Sequence, residues 1–149
     1  MERNQIPRYV TDASVVVKWF VKEEDSEKAR RLKELFQEGV VDLEAPSLLS
    51  YEVASALRFH PIAKLTAAQL RTVMESLEEL QIARELTQTE WAAAFMLSLD
   101  NSISIYDAVY VSFAVQSNSK MVTADTRLAT KITLPKAKAT LSSLSELDL

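Results

Sequence analysis

The sequence predicts an α/β fold with a mostly parallel central sheet, because short apolar segments alternate along the chain with amphipathic helical patterns. Its 149 residues suit one domain, residues 1–149, built around one hydrophobic core. No repeat, low-complexity tract or linker interrupts it. Binding sites of such sheets collect at the carboxyl ends of the strands, so the residues that directly follow each strand are the first candidates for a site.

The first third of the chain predicts a strand, a helix and a second strand. RYVT (8–11) is a short apolar-leaning segment after a proline, as in a first strand. The next segment, ASVVVKWF, is either further strand or a helix that Asp12 caps. Residues 23–38 repeat apolar side chains at helical spacing and end at Gly39. Residues 40–46 then read as a short strand.

The remaining elements follow from periodicity, caps and turn residues. Pro46 is expected to open a helix, because proline is tolerated at the first helical position. The later elements are a helix over 66–79 capped by Thr66, a helix over 89–99, a turn at Asp100–Asn101, a largely buried helix over 103–115, a strand over 120–125, a short helix over 126–132 and an edge strand over 137–141.

Composition excludes several classes of function. The chain has no cysteine and one histidine, His60, so thiolate sites and histidine clusters are absent and a bound metal would have oxygen ligands, as Mg²⁺ or Mn²⁺ prefers. A single glycine, Gly39, rules out glycine-rich phosphate loops. The net charge of −4 disfavours broad nonspecific nucleic-acid binding but leaves a local basic groove open.

The sequence also indicates where the protein works. No apolar stretch approaches the roughly 18 residues of a membrane span. The first ten residues, MERNQIPRYV, lack the basic-then-apolar layout of a signal peptide. We therefore expect a cytoplasmic protein with no membrane association.

Four acidic residues stand alone in apolar or small-residue segments, whereas most of the 21 acids lie in charged company. They are Asp12, Glu52, Asp107 and Asp125. Asp12 and Asp125 follow predicted strands, so each has a simpler reading as a helix cap. Glu52 and Asp107 lie within predicted helices and have the simpler reading of a salt bridge with an arginine such as Arg58 or Arg127.

If the four acids converge at one edge of the sheet, their mutual repulsion raises their pKa values unless a cation intervenes. Carboxylates completed by water form the usual Mg²⁺ site. Such an ion lowers the pKa of water and shields charge on a phosphate. The four acids together thus predict a site for metal-assisted hydrolysis, and an ionised Asp107 in a buried-looking helix is explained by it.

The order of these acids and the sequence segments around them resemble those of the PIN-domain ribonucleases, most closely the small VapC-type toxins of toxin–antitoxin pairs. The matching segments are TDASVVVKWF, YEVASALR, SIYDAVYVSFA and MVTADTRLA, which run from residue 11 to residue 129. The resemblance implies a three-layer α/β/α sandwich with a short, mostly parallel sheet. It also implies Mg²⁺- or Mn²⁺-dependent cleavage of RNA that leaves 5′-phosphate and 3′-hydroxyl ends.

The resemblance assigns roles residue by residue. Metal binding and catalysis fall to Asp12, Glu52, Asp107 and Asp125, with support from the hydroxyls of Ser14, Thr123 and Ser104. A VapB-like antitoxin is the implied partner. The chain departs from the family where a glycine commonly precedes the third acid, and we expect Asn101 to take the left-handed conformation instead. Thr126 and Arg127 replace a further acid found in some relatives, which leaves a second metal ion open.

Cations near the motifs are candidates for binding substrate phosphates. They are Lys18, Arg58, Lys64 and Arg127, although surface solubility is the simpler role of each. The alanine-rich segment TEWAAAFMLSL is either core or a homodimer face.

Three other functions compete with the toxin. A haloacid-dehalogenase-type phosphatase needs a second aspartate two residues after Asp12, where this chain has Ser14. A noncatalytic RNA- or protein-binding module on the same fold would bind without turnover. A housekeeping RNA-processing nuclease would act with no antitoxin.

Overall fold

The computed structural model describes residues 5–149. The elements in chain order are β1 Arg8–Thr11, α1 Ala13–Phe20, α2 Ser26–Gln37, β2 Asp42–Pro46, α3 Leu48–Arg58, α4 Ala67–Glu79, β3 Ala83–Arg84, α5 Gln88–Asn101, α6 Ile105–Gln116, β4 Lys120–Thr123, α7 Arg127–Lys131, α8 Pro135–Thr140 and β5 Leu141–Ser143, followed by a 3₁₀ turn at Leu144–Glu146.

The five strands form one sheet in the order β3-β2-β1-β4-β5, and every neighbouring pair is parallel. Strand β1 lies at the centre, where Val10 stands opposite Glu44 of β2 and Met121 of β4. The carboxyl ends of β1 and β4 therefore meet at the same edge of the sheet. Asp12 and Asp125 follow these two ends, as the sequence predicts.

Apolar side chains cover both faces of the sheet. One core joins helices α1, α2, α3 and α4 and includes Leu43 and Val122 from the strands. The other joins α5, α6 and α8 and includes Val10 and Met121. Successive residues of β4 thus face opposite cores, which is the period-two pattern of a strand buried on both sides. The predicted three-layer α/β/α sandwich with a parallel sheet is confirmed.

Segment ASVVVKWF is a helix, which settles the alternative left open by its composition. Asp12 has an extended backbone (φ −102°, ψ 177°), and its Oδ1 accepts a hydrogen bond from the Val15 amide at 3.3 Å. This is N-cap geometry. Most of α1 is buried in the first core, so its valines satisfy packing rather than strand pairing.

Two predicted helix starts are wrong. Helix α2 begins at Ser26 rather than Glu23, because Asp25 takes the left-handed conformation (φ 61°) and breaks the helical backbone there. Pro46 does not open a helix; it is the last residue of β2 and pairs in register with Arg84 of β3. Helix α3 begins two residues later, at Leu48.

Two further predictions fail in the second half of the chain. Asp100 and Asn101 belong to α5, and the left-handed residue that ends it is Ser102 (φ 52°). Residues 137–140 are helix rather than edge strand, because Pro135 starts α8 at its first position; only Leu141–Ser143 pair as a strand. Within residues 5–149, no helix is both long and apolar enough to cross a bilayer.

Candidate active site

Two hydroxyls hold the carboxylate of Asp12 at the end of β1. Ser14 Oγ donates to Asp12 Oδ1 at 2.6 Å, and Thr123 Oγ1 donates to Oδ2 at 2.5 Å. The amide of Ala124 donates to Ser14 Oγ at 2.9 Å, and the amide of Asp125 donates to Thr123 Oγ1 at 3.0 Å. The loop after β4 is therefore tied to the start of α1 through the side chains predicted to support the site.

Burial raises the pKa of the Asp12 carboxyl to about 6, and the charge of Glu52 adds to the rise against the hydrogen bonds from Ser14, Thr123 and Val15. Burial also raises the pKa of Glu52, and the charge of Asp107 adds to it. Glu52 therefore lies close enough to Asp12 and to Asp107 for like charges to repel. This is the electrostatic state that a bound cation relieves.

Asp107 lies in the first turn of α6 and is partly exposed. Ser104 caps this helix, since its Oγ accepts a hydrogen bond from the Asp107 amide at 3.1 Å. Among the ion pairs of the described chain, none joins Glu52 or Asp107 to an arginine. The simpler salt-bridge reading of these two acids is therefore not what the structure shows.

Asp125 is surrounded differently from the other three acids. Arg127 Nε and one of its terminal nitrogens donate to the two oxygens of Asp125 at 3.0 and 3.1 Å, and these bonds lower the pKa of the Asp125 carboxyl. Arg127 is exposed, and its own pKa is raised first by Asp125 and also by Asp107. Asp125 thus already has a cation as its partner, unlike Asp12, Glu52 and Asp107, which are called here the acidic group.

Tyr110 is a residue of this site that the sequence did not single out. Its hydroxyl is buried and has no hydrogen bond of good geometry within residues 5–149, although it lies near enough to the Glu52 carboxylate to lower the pKa of that group. The pKa of Tyr110 is raised by burial and then by the carboxylates of Glu52, Asp12 and Asp107, so the hydroxyl faces the acidic group. Its position three residues after Asp107, on the same helix face, was the available signal.

The donor set fits a hard divalent ion, although only with water among its ligands. Within the described part of the chain, no three carboxylate, imidazole or thiolate groups form a set that could hold a metal ion by themselves. Mg²⁺ is usually held by one or two carboxylates and several waters. Glu52, whose charge acts on Asp12 and which Asp107 repels, matches that smaller set in charge and donor chemistry.

A groove of about 730 Å³ runs between α1 and α3 and is called here the α1–α3 groove. Its lining residues include Ala13, Ser14, Val17 and Lys18 from the start and middle of α1, Glu52, Ser55 and Ala56 from α3, Ala124, Asp125 and Arg127 from the loop after β4, and Glu23, His60 and Pro61 at the far end. Two of the four predicted acids, Glu52 and Asp125, line this groove together with two cations, Lys18 and Arg127, whereas Asp12 and Asp107 are not among its lining residues.

The four predicted phosphate-binding cations have different surroundings. Lys18 is buried and pairs with Glu23 at 3.3 Å. Arg58 is exposed and stacks over the Phe59 ring at 4.8 Å, and Lys64 is exposed and donates to the His60 carbonyl at 3.1 Å. Of the four, Lys18 and Arg127 line the α1–α3 groove.

The sequence profile of the PIN domain family matches residues 9–132. The chain is also 35% identical over 129 residues to Ribonuclease VapC3 of Pyrobaculum aerophilum, a match that covers 83% of this chain and 94% of that protein. This chain belongs to the PIN domain family. The matched range contains all four predicted acids and the groove between them.

Solved structures support the PIN fold independently. The chain resembles VapBC2 from Rickettsia felis bound to a DNA fragment from its promoter, with a TM-score of 0.68, 13% identity and coverage of 91% of this chain and 98% of that one. It also resembles a toxin–antitoxin complex from Klebsiella pneumoniae, with a TM-score of 0.63, 12% identity and coverage of 93% and 99%. At these identities the likeness shows the PIN fold alone.

Proposed function

We propose that this PIN-domain protein is a Mg²⁺- or Mn²⁺-dependent endoribonuclease and the toxin of a VapBC-type toxin–antitoxin pair. The observation that carries the proposal is the repulsion among Asp12, Glu52 and Asp107 at the carboxyl edge of the sheet, with no arginine bonded to any of the three in the described chain. The 35% identity to a ribonuclease of the VapC type supports the choice of RNA as substrate.

Each acid has a separate part in the proposed hydrolysis of a phosphodiester. Asp12, Glu52 and Asp107 would hold the ion, which lowers the pKa of a water and balances charge on the phosphate. A carboxylate of the site would accept the proton of the attacking water, or the water would already be hydroxide when it attacks phosphorus. Asp125 holds Arg127 beside the groove, where the guanidinium can bind a phosphate oxygen.

RNA cleavage tests the proposal directly. Single-stranded RNA is incubated with Mg²⁺ or Mn²⁺ and either the parent protein or Asp107→Asn, which removes the charge and keeps the shape. We expect cleavage to fall by at least about 100-fold, because even the partners of metal ligands cost roughly 10- to 100-fold when they are changed. Equal turnover by the two proteins would show that Asp107 is not catalytic.

We also propose two protein partners. A VapB-like antitoxin is supported by the fold shared with VapBC2 and with the toxin–antitoxin complex from Klebsiella pneumoniae. A homodimer is supported by α5, where Phe95, Met96 and Leu99 are exposed while Ala94 and Leu97 pack inward.

Co-expression with the upstream reading frame tests the antitoxin. A stable, inactive complex supports the antitoxin, and activity that the neighbouring gene product does not affect favours a housekeeping nuclease.

A further inference from the structure

A second polar cluster lines the α1–α3 groove toward the C-terminal ends of the two helices, whereas Ser14 and Glu52 lie in their N-terminal halves. It consists of Lys18 near the end of α1, Glu23 in the following loop and His60 after α3. Lys18 Nζ lies 3.3 Å from Glu23 Oε1, and His60 Nε2 lies 2.8 Å from Glu23 Oε2. Lys18 is only 9% exposed and His60 only 7% exposed, so this cluster is built into the groove wall rather than scattered on the surface.

The hydrogen bonds fix the state of the His60 ring. Its Nδ1 accepts from the amides of Ile62 at 3.2 Å and Ala63 at 2.9 Å, so Nδ1 carries no proton. The neutral ring therefore has its proton on Nε2 and donates it to Glu23. The Glu23 backbone is held in turn, because its amide donates to Ser26 Oγ at 2.8 Å.

The Lys18 ammonium has hydrogen-bond donors that it does not use within the described chain. An ammonium carries three N–H donors, and within residues 5–149 Lys18 uses one of them, toward Glu23. A lysine buried in this way packs its alkyl stem and keeps its charged head at the polar boundary. Since Lys18 lines the groove, a ligand there with anionic oxygens can take the remaining donors.

The wall between Lys18 and the acids is made of small side chains. Ala13, Val17 and Ala56 line it, with Glu52 toward one end and Lys18 toward the other. An RNA chain whose cleaved bond lies at the acids thus continues along the groove toward Lys18. Because each nucleotide carries one negative phosphate, a fixed cation farther along the groove can bind the RNA backbone without contacting the base.

We propose that Lys18 binds a backbone phosphate of the RNA beside the bond that is cleaved, and that Glu23 and His60 are positioning residues that hold its ammonium in the groove. This inference rests on the proposed ribonuclease function. It adds a specific phosphate contact and the two residues that orient it.

The salt dependence of RNA binding tests the contact. Binding of a single-stranded oligoribonucleotide is measured by fluorescence anisotropy over a range of salt, with Asp107→Asn as the background so that the RNA stays intact. Lys18→Met should reduce the slope of log affinity against log salt by about 0.7, the value for one phosphate contact on a single strand. Lys22→Met removes the same charge from a nearby exposed residue and should leave the slope unchanged.

The positioning role has its own pair of variants, both without a change in charge. His60→Leu removes the donor to Glu23, whereas His60→Gln keeps an N–H near the same place. We expect His60→Leu to weaken RNA binding while the salt slope stays that of the parent, because the Lys18 charge remains. We expect His60→Gln to restore the parent affinity.

Several outcomes would overturn the inference. An unchanged slope in Lys18→Met removes the phosphate contact, and weaker antitoxin binding with unchanged RNA binding assigns Lys18 to the protein partner instead. Should Lys18→Met fail to fold by circular dichroism, Lys18→Gln takes its place with the same expected slope. Parent protein that cleaves RNA while Lys18→Gln binds with the parent slope contradicts this inference alone; parent protein that neither binds nor cleaves RNA contradicts the proposed function as well.

Discussion

Ionisation of Asp12 opposes folding when no cation is bound. The pKa of Asp12 in the folded protein is about 6, above the ordinary value of 3.8, so the fold favours the protonated carboxyl. This stabilisation is fully present below pH 3.8 and is lost as the pH rises through 6. We therefore expect Asp12→Asn to stabilise the metal-free protein by about 2–3 kcal/mol near pH 8, and the gain to disappear near pH 4.

Urea unfolding of the parent and of Asp12→Asn at the two pH values, in the presence of a chelator, measures this difference. The amide keeps an oxygen that can accept the cap bond from Val15, so loss of the cap does not obscure the result. Parallel pH dependence of the two proteins would show that Asp12 is not the titrating group.

Tyr110 contributes to the state of Glu52. Its hydroxyl lowers the pKa of the Glu52 carboxyl against the larger effect of burial, so Tyr110→Phe should raise that pKa. The acid limb of the pH profile of kcat/KM for RNA cleavage should then move to higher pH, while the fold stays stable because the aromatic ring keeps its place in the core. Superimposable profiles would contradict this role.

Sequence reasoning predicted the identity of the acids better than their surroundings. An acid that is alone in an apolar segment is visible in the sequence; Glu52 interacts by charge with Asp12 and Asp107, Asp125 interacts with Arg127, and the catalytic role of the four stays a prediction. The pairing of Asp125 with Arg127 was not predictable, because it depends on how the loop after β4 turns. Tyr110 was hidden because a tyrosine in an apolar helix reads as core.

At the scale of elements, the cap of α6 is expected to matter for activity as well as stability. Ser104→Ala removes the bond to the Asp107 amide and should cost about 1 kcal/mol of unfolding free energy. It should also lower cleavage, because the first turn of α6 carries Asp107.

Thr66→Ala is the matched control for this variant. Thr66 caps α4 through a capping box with Gln69, and α4 carries none of the four predicted acids. Its loss should cost a similar free energy, about 1 kcal/mol, and leave cleavage unchanged under conditions where the protein is folded. Equal loss of activity in both variants, measured beside chemical denaturation, would assign the Ser104 effect to stability alone.

Long periodic helices and the three inner strands, β1, β2 and β4, followed from the sequence, whereas the sheet edges did not. Strand β3 has only two residues, both exposed, so it has no alternation to detect. Its existence depends on hydrogen bonds such as that from the Ser47 amide to the Arg84 carbonyl at 2.8 Å. The end of α5 was placed two residues too early, at 99 rather than Asn101, because Asn101 donates back to the Leu97 carbonyl and accepts from the Thr133 amide, which keeps it helical.

At the scale of the molecule, the exposed apolar side of α5 predicts self-association. Leu99 is 78% exposed, so Leu99→Lys should shift a homodimer toward monomer by introducing a charge that the interface must desolvate. Analytical ultracentrifugation measures the shift. Ile62→Lys, at a site that is 84% exposed after α3, is the control and should leave the mass unchanged. A parent that is monomeric at every concentration would contradict the proposed dimer.

The central claim is that Asp12, Glu52 and Asp107 share one divalent ion, and calorimetric titration with Mn²⁺ tests it most directly. The parent should bind the ion, and Asp107→Asn should lose at least about 10-fold in affinity while it stays folded. Asp148→Asn, which removes an exposed acid outside the acidic group, should bind like the parent. Equal Mn²⁺ affinity in the parent and Asp107→Asn would contradict the account.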